Sequence, residues 1–436
     1  MSPKSNKVEN ASVETSRHAR YVEPSYETTN AAGLDLSCLG PATVALHADD
    51  PLNVVADVAP PIHVATTFRY PHDPAQLRPL YDRPEPYVLD PTEHVYSRAT
   101  THNSSRLEAI LGALLHNDSL VYSSGLSAGH ALMTVVNPGK ISIGAGYHGF
   151  HATIGLHQRL AGSTVLPLDC KPEELGEGDL IWLETPVNPT GLAFNIQHLA
   201  DKAHSRGAYL AVDSTFAPPP LQDPFEQGAD FVMHSGTKYI GGHSDLLCGV
   251  LSAKDKSWYK RLYSDRLVMG NVVGGLESWL AVRSLRTLEL RITRESASAQ
   301  HLVQALHGAL MGQATVKGLA ACDIHIVRRV VKEVQHASLQ TQDRQDWLDK
   351  QMPNGFGPVF SITMQEEEDA RKFPSKLQLY HHATSLGGVE SLIEWRYMTD
   401  NTVDKDLLRL SIGVENVNDL LADLLQGFRQ LVKEKV

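Results

Sequence analysis

Short apolar runs recur through the middle of the chain: SLVYSS (119–124), KISIGA (140–145), STVLPL (163–168), LIWLET (180–185), YLAVDS (209–214), DFVMHS (230–235) and CGVLSA (248–253). Between most of them lie stretches with helical spacing, such as SRLEAILGALL (105–115) and NIQHLADKAHSRG (195–207). Strand-length runs alternating with helical stretches predict βαβ units and a mainly parallel sheet covered on both faces. Such sheets collect ligands at the carboxyl ends of their strands, so chemistry is expected there. After Gly275, LESWLAVRSLRTLELRITRESASAQHLVQAL keeps helical spacing with almost no breakers, which predicts one long helix leaving the sheet. Beyond it, GPVFSITM (357–364), SLGGVESLI (385–393), LLRLSIGV (407–414) and a closing helix NVNDLLADLLQGFRQLVKEK predict a smaller α+β unit. Residues 1–41, rich in Ser, Glu, Asn and Thr, show no apolar period and read as a mobile arm.

Composition narrows the function classes. The 436 residues leave room for two or three domain-sized units. Lys plus Arg number 39 against 50 Asp plus Glu, a net charge of −11. An acidic chain without a basic block suits neither nucleic acid nor an anionic membrane. No stretch approaches the roughly 20 apolar residues that span a bilayer. The polar first 30 residues carry Glu9, Glu14 and Glu23, unlike a secretory signal or a transit peptide, and the expected location is cytoplasmic. Cys38, Cys170, Cys248 and Cys322 are far apart and form neither a zinc pattern nor a disulfide framework.

The segment AVDSTFAPPPLQDPFEQGADFVMHSGTKYIGGHSD (211–245) is the most informative. Asp213 closes one predicted strand, and the next ends in His-Ser-Gly-Thr-Lys at 234–238. A lysine at the mouth of a parallel sheet, sheltered from water and beside cations, can lose its proton and act as a nucleophile, typically through a Schiff base. Ser235 and Thr237 just upstream suit a phosphate. Asp213 suits a positive charge such as a protonated pyridine nitrogen. SSGLS (123–127) ends a strand and opens a helix, so the amides of Gly125 and Leu126 can meet that phosphate. Together these residues describe a pyridoxal phosphate site. SSGLSAG does not fit the dinucleotide pattern G-x-G-x-x-G. The clusters His148/His151, His243 near Asp245 and His381/His382 lack a suitable partner set, so no metal is expected.

The lysine segment resembles that of the Cys/Met-metabolism (trans-sulfuration) family of pyridoxal-phosphate enzymes, which includes cystathionine γ-synthase, the cystathionine lyases and the O-acylhomoserine sulfhydrylases. Ordered motifs carry the resemblance from about residue 42 to the end: VALHADDP, VAPPIHVATTF (58–68), VYSR (95–98), SSGLSAGHAL (123–132), GYHGFHATIGL (146–156), ETPVNPTG (184–191), SLGGVESLI and LLRLSIGVEN (407–416). It implies an α/β protein of pyridoxal-phosphate fold type I, aspartate aminotransferase-like. A segment at 42–104 would contribute to the neighbouring active site. A large domain at 105–290 would hold a mainly parallel seven-stranded sheet, and 291–436 a long helix and a smaller C-terminal α+β domain. By resemblance, Lys238 carries the cofactor Schiff base and then acts as mobile base, Asp213 pairs with the ring nitrogen, and Tyr147 stacks on the ring and serves catalysis. Ser124, Gly125, Leu126, Asn188, Thr215, Ser235 and Thr237 complete the cofactor site. Tyr96 and Arg98 match residues that reach the phosphate of the neighbouring subunit, which implies a homodimer with shared active sites, in the family usually paired into a homotetramer. Arg409 matches the clamp for the substrate α-carboxylate, with Asn188 and Ser385 as helpers.

Three stretches depart from the family pattern. Ala99-Thr100-Thr101-His102-Asn103 follows YSR where a Ser-Gly-Asn-Pro-Thr type loop is usual near the entrance, so substrate choice is expected to differ. Thr384 stands where cystathionine γ-synthases and γ-lyases carry a Glu facing a distal amino group, and a hydroxyl does not repay the desolvation of a second ammonium. Trp395-Arg396-Tyr397-Met398-Thr399-Asp400 replaces a PAxMTH-type stretch, and a Pro-rich insertion occupies 70–95. The expected function is γ-elimination or γ-replacement on an activated L-homoserine such as O-acetyl-L-homoserine. It would pass through a vinylglycine-type intermediate captured by a sulfur, carbon or nitrogen nucleophile. The alternative is a cystathionine β- or γ-lyase with the distal amine held by Asp400 or Glu93. A relative that keeps the fold only as a binding module is the reading of a different class.

Overall fold

The computed structural model describes Leu36, residues 39–82 and residues 89–435. The arm predicted at 1–41 falls almost entirely outside these residues, as do 83–88 of the Pro-rich insertion. All seven apolar runs are strands: β1 Ser119–Tyr122, β2 Lys140–Ile143, β3 Thr164–Pro167, β4 Leu180–Glu184, β5 Tyr209–Asp213, β6 Phe231–Ser235 and β7 Gly249–Ala253. They form one sheet in the order β1-β7-β6-β5-β4-β2-β3. From β6 to β3 every neighbouring pair is parallel, whereas β7 runs antiparallel to both β6 and β1. Strands β4 to β7 are nearly unbroken in apolar character because helices bury both faces, whereas the edge strand β3 is largely exposed. Leu180, Trp182, Ala211, Phe231, Met233 and Leu251 point into one core, and the alternate residues Ile181, Leu183, Leu210, Val212 and Val232 into another.

The long helix expected after Gly275 is two helices, Gly275–Leu285 and Leu288–Leu310. Thr287 leaves helical geometry at φ −122°, ψ 10°, and its hydroxyl donates to the Ser284 carbonyl at 3.2 Å. Arg291 Nη2 donates to the same carbonyl at 3.0 Å, and its Nη1 to that of Tyr239 at 2.8 Å. The Ser284 carbonyl, which also accepts the Thr287 N–H at 3.1 Å, thus gains two side-chain donors at the break, and the apolar period continues in phase across it.

The second sheet comprises β8 Val331–Gln335, β9 Val359–Met364, β10 His381–His382, β11 Leu392–Trp395 and β12 Leu407–Ser411, in the order β10-β11-β12-β9-β8. Helices Leu288–Leu310 and Val417–Glu434 pack against it around Phe360, Ile362, Leu408, Leu410, Leu424 and Phe428. Of SLGGVESLI only the last two residues enter β11; the rest turns back onto the first sheet. Gly387, at φ +82°, makes that approach possible, since a Cβ there would lie 2.9 Å from the Lys238 carbonyl carbon and 2.8 Å from the Tyr239 nitrogen. No helix among the described residues is long and apolar enough to cross a membrane.

Candidate active site

At the carboxyl ends of β4, β5 and β6, under the loop before β11, lies a cavity of about 380 Å³. Ser124, Gly125, Leu126, Tyr147, Asn188, Asp213, Thr215, Ser235, Thr237, Lys238, Thr384, Ser385 and Arg409 all line it. Residues 285 positions apart are brought together here because β12 of the second sheet faces the strand ends of the first. Tyr96 and Arg98 are the exceptions. Neither lines the cavity of its own chain; Arg98 Nη1 donates to the Leu267 carbonyl at 2.6 Å, and its guanidinium lies 5.7 Å from the centre of the Tyr96 ring.

One end of the cavity is made of neutral donors. The helix Gly125–Val136 begins there, capped by Ser124, whose hydroxyl accepts from the Ser127 N–H at 3.1 Å. Gly125 is required for packing, because a Cβ would come within 2.9 Å of the Ser235 Cβ. The backbone N–H groups of that first turn, with the hydroxyls of Ser124, Ser235 and Thr237, form an anion cradle with the dipole of the helix behind it.

The middle of the cavity holds the titratable groups. Asp213 ends β5 opposite Glu184 of β4. Its Oδ1 accepts from the Thr215 N–H at 3.0 Å and the Thr215 hydroxyl at 2.5 Å. Burial pushes its pKa above the ordinary carboxylate range, although the Thr215 bonds oppose the shift. Glu184 is pushed up as well, by burial and then by the Asp213 charge. Its two oxygens accept the N–H groups of Tyr147 and Asn188, each at 2.7 Å, so it fixes the backbone of both. Lys238 follows the end of β6, and its Nζ donates to Ser385 Oγ at 2.7 Å. Burial, helped by the Arg409 charge, pushes its pKa down to about 8. Ser385 takes φ +78°, a strained value for a residue with a Cβ, and this conformation aims its hydroxyl at the lysine and its carbonyl at Arg409.

The third part is a corner built around the Arg409 guanidinium. Arg409 Nη1 donates to Asn188 Oδ1 at 3.1 Å, and Nη2 donates to the Ser385 carbonyl at 2.7 Å and to Glu394 Oε2 at 2.6 Å. Arg396 and Thr399, from the stretch that departs from the family pattern, also line the cavity. Ala99–Asn103 does not; there Thr101 caps the helix His102–Leu114 in a reciprocal box with Ser104, at 3.1 and 2.9 Å. The residue reading missed Glu184 and Glu394. Glu184 carried a signal, being an acid at the end of a predicted strand, whereas Glu394 sits inside an apolar run and is explained only by the two arginines that fold against it.

The donor set fits pyridoxal phosphate: neutral donors and a helix N-terminus for a phosphate, an aspartate for a ring nitrogen, and a buried lysine of lowered pKa for an aldehyde. A family model described as "Cys/Met metabolism PLP-dependent enzyme" matches residues 42–429. Cystathionine gamma-lyase of Saccharomyces cerevisiae is 33% identical over 414 residues, covering 89% of this chain and 97% of its own length. Cystathionine gamma-synthase of Escherichia coli is 32% identical over 398 residues, covering 85% of this chain and 93% of its own. The crystal structure of metB from Corynebacterium glutamicum superposes with a TM-score of 0.79 at 29% identity, over 91% of this chain and all of that one.

Proposed function

The chain belongs to the Cys/Met metabolism family of pyridoxal-phosphate-dependent enzymes, and from that premise we propose that it acts at the γ-carbon of an activated L-homoserine such as O-acetyl-L-homoserine, by γ-elimination or γ-replacement. It is an enzyme, and its cofactor is pyridoxal 5′-phosphate. The observation that carries the proposal is the charge of the cavity wall. Among the described residues its carboxylates are Glu184 and Asp213, both already accepting internal donors, and Thr384 presents only a hydroxyl. A second ammonium entering there loses its hydration without gaining a carboxylate. An ester needs only a donor for its carbonyl.

Bound pyridoxal phosphate supplies an electron sink that stabilises negative charge at the α-carbon of an amino acid. Arg409 holds the α-carboxylate, steadied by Asn188 and Ser385. Lys238, with an amine lowered to about 8, is a competent base near neutral pH. It takes the proton at Cα, gives that proton up again, and as the regained free amine takes one at Cβ, so that the acyl group leaves Cγ as a carboxylate. Ser385 Oγ steers the amine between these positions. Asp213, held by Thr215, would pair with the ring nitrogen and keep it protonated, and Tyr147 would lie against the ring. A nucleophile adding at Cγ completes replacement; without one, hydrolysis gives 2-oxobutyrate, ammonia and the free acid.

The likeness to the yeast cystathionine gamma-lyase favours a second reading, cleavage of cystathionine. Asp400, one proposed holder of its distal amine, is buried and engaged by Arg396 and by Thr402. The test is to incubate the holoenzyme with O-acetyl-L-homoserine, and separately with L-cystathionine, and assay 2-oxobutyrate and pyruvate. The expected result is 2-oxobutyrate from the ester alone, falling about 10³-fold or more in Lys238→Ala. Keto acid from cystathionine alone overturns the proposal and establishes a lyase.

A further inference from the structure

Arg409 is read above as the clamp for the substrate carboxylate, yet it already faces a carboxylate. Glu394 Oε2 lies 2.6 Å from Arg409 Nη2, and all of Glu394, Arg409 and Arg396 are at most 4% exposed. In so dry a setting, one carboxylate against one guanidinium neutralises it and leaves little pull for a second carboxylate. Here the same Oε2 also accepts from Arg396 Nη1 at 2.9 Å, while Oε1 accepts from the Thr399 hydroxyl at 2.7 Å. Arg396 Nη1 reaches Thr399 Oγ1 at 3.0 Å as well, and Nη2 stands 3.4 Å from Asp400 Oδ2. Its Nε is buried with no partner. The result is a line of alternating charge, Asp400, Arg396, Glu394, Arg409, whose last member opens on the cavity.

We propose that Arg396 is a positioning residue: it shares the Glu394 carboxylate with Arg409, so that Glu394 neutralises Arg409 only in part and leaves its charge available for the α-carboxylate of the substrate. The inference rests on the reading of Arg409 as that clamp. Arg396 lies in the stretch that departs from the family pattern, and nothing else in the reaction uses it. Thr399, next to it, serves the same end by occupying the other Glu394 oxygen. A substrate carboxylate arriving at Arg409 extends the alternation by one more negative group.

The holoenzyme provides a test that does not need turnover. Its visible spectrum reports the binding of an inert amino acid, L-alanine, and of ethylamine, which has no carboxylate. Arg396→Gln is expected to weaken L-alanine about tenfold, the size of one weakened charge-assisted hydrogen bond, and to leave ethylamine unchanged. In turnover the same variant raises KM for O-acetyl-L-homoserine by a similar factor, with kcat within about threefold. The decisive variant is the double one. Adding Glu394→Gln to Arg396→Gln removes the competing charge and is expected to restore L-alanine binding to within about threefold of wild type. Arg396→Lys, which keeps the charge, stays near wild type and serves if the glutamine variant does not fold. Equal weakening of both ligands, or a double variant as weak as the single one, overturns the proposal. Arg409→Lys separates the two readings: if it leaves L-alanine binding intact, the clamp assignment itself has failed.

Discussion

The cavity wall carries one lysine, and burial lowers its amine to about 8, an effect that Arg409 reinforces and Glu394 opposes. Only the neutral amine condenses with an aldehyde, so the shift sets when the cofactor-free protein captures pyridoxal phosphate. The capture rate, followed as absorbance near ~420 nm, should climb with pH while Nζ sheds its proton and level off above about 8. An unperturbed lysine, titrating near ~10.4, would keep the rate climbing past about pH 9.5, and that outcome contradicts the burial argument. The same residue shows what a sequence makes visible. Lys238, Asp213 and the hydroxyls between them stand within one stretch at adjacent strand ends, so their chemistry is legible from spacing. Glu394 is not, because its role arises from guanidiniums contributed by β12 and by the turn after β11, and no local pattern announces the meeting.

Elements were legible where burial leaves a mark on composition. Strands β4 to β7 are covered on both faces and appear as apolar runs. The break at Arg286–Thr287 was not legible, because the donors that fill it come from Arg291 and Thr287 without disturbing the apolar period. The two-residue strand β10 is too short to show any period. The Gly-Gly turn before β11 illustrates how one element positions another. Gly387→Ala places a Cβ 2.8–3.1 Å from the backbone of Lys238 and Tyr239 at a φ of +82°, which forces either the loop or the lysine to move. Gly388 has no positive φ, and a Cβ there meets only the Glu390 carboxylate, the end of a flexible side chain. Gly387→Ala should therefore lower kcat/KM for O-acetyl-L-homoserine at least about tenfold and lower Tm by a few degrees. Gly388→Ala should stay within about threefold. Parallel losses in both variants would mean that the loop is merely fragile and does not position the lysine.

On the scale of the whole molecule, the described residues between Val54 and Tyr96 carry large apolar side chains that a single chain leaves exposed. This segment is anchored at several points: Trp279 Nε1 donates to the Pro60 carbonyl at 2.7 Å, Asn103 Nδ2 donates to the Pro61 carbonyl at 3.0 Å, and Asn103 Oδ1 accepts from the His63 N–H at 2.8 Å. Yet Val58 is 95% exposed, Val64 83% and Tyr81 81%. Large apolar groups held outward on an anchored segment are what a surface for a second protein would present. At the cavity end lined by Ser124, Ser235 and Thr237 the chain's own described residues supply neutral donors, while the cations of the wall, Lys238, Arg396 and Arg409, belong to the other parts of the site. A phosphate dianion is best held with at least one guanidinium. Both features are accounted for if Tyr96 and Arg98 of a second copy enter this site, the arrangement that the VYSR motif implies. Complementation tests it. Lys238→Ala removes the base from a chain's own site, whereas Arg98→Ala damages the site of its partner. When the two inactive variants are co-expressed, each mixed dimer carries one wild-type site and one doubly damaged site. Random pairing then returns about a quarter of wild-type activity. If each site were complete within one chain, the mixture would show only the average of the two variants, and the shared-site dimer would have to be abandoned.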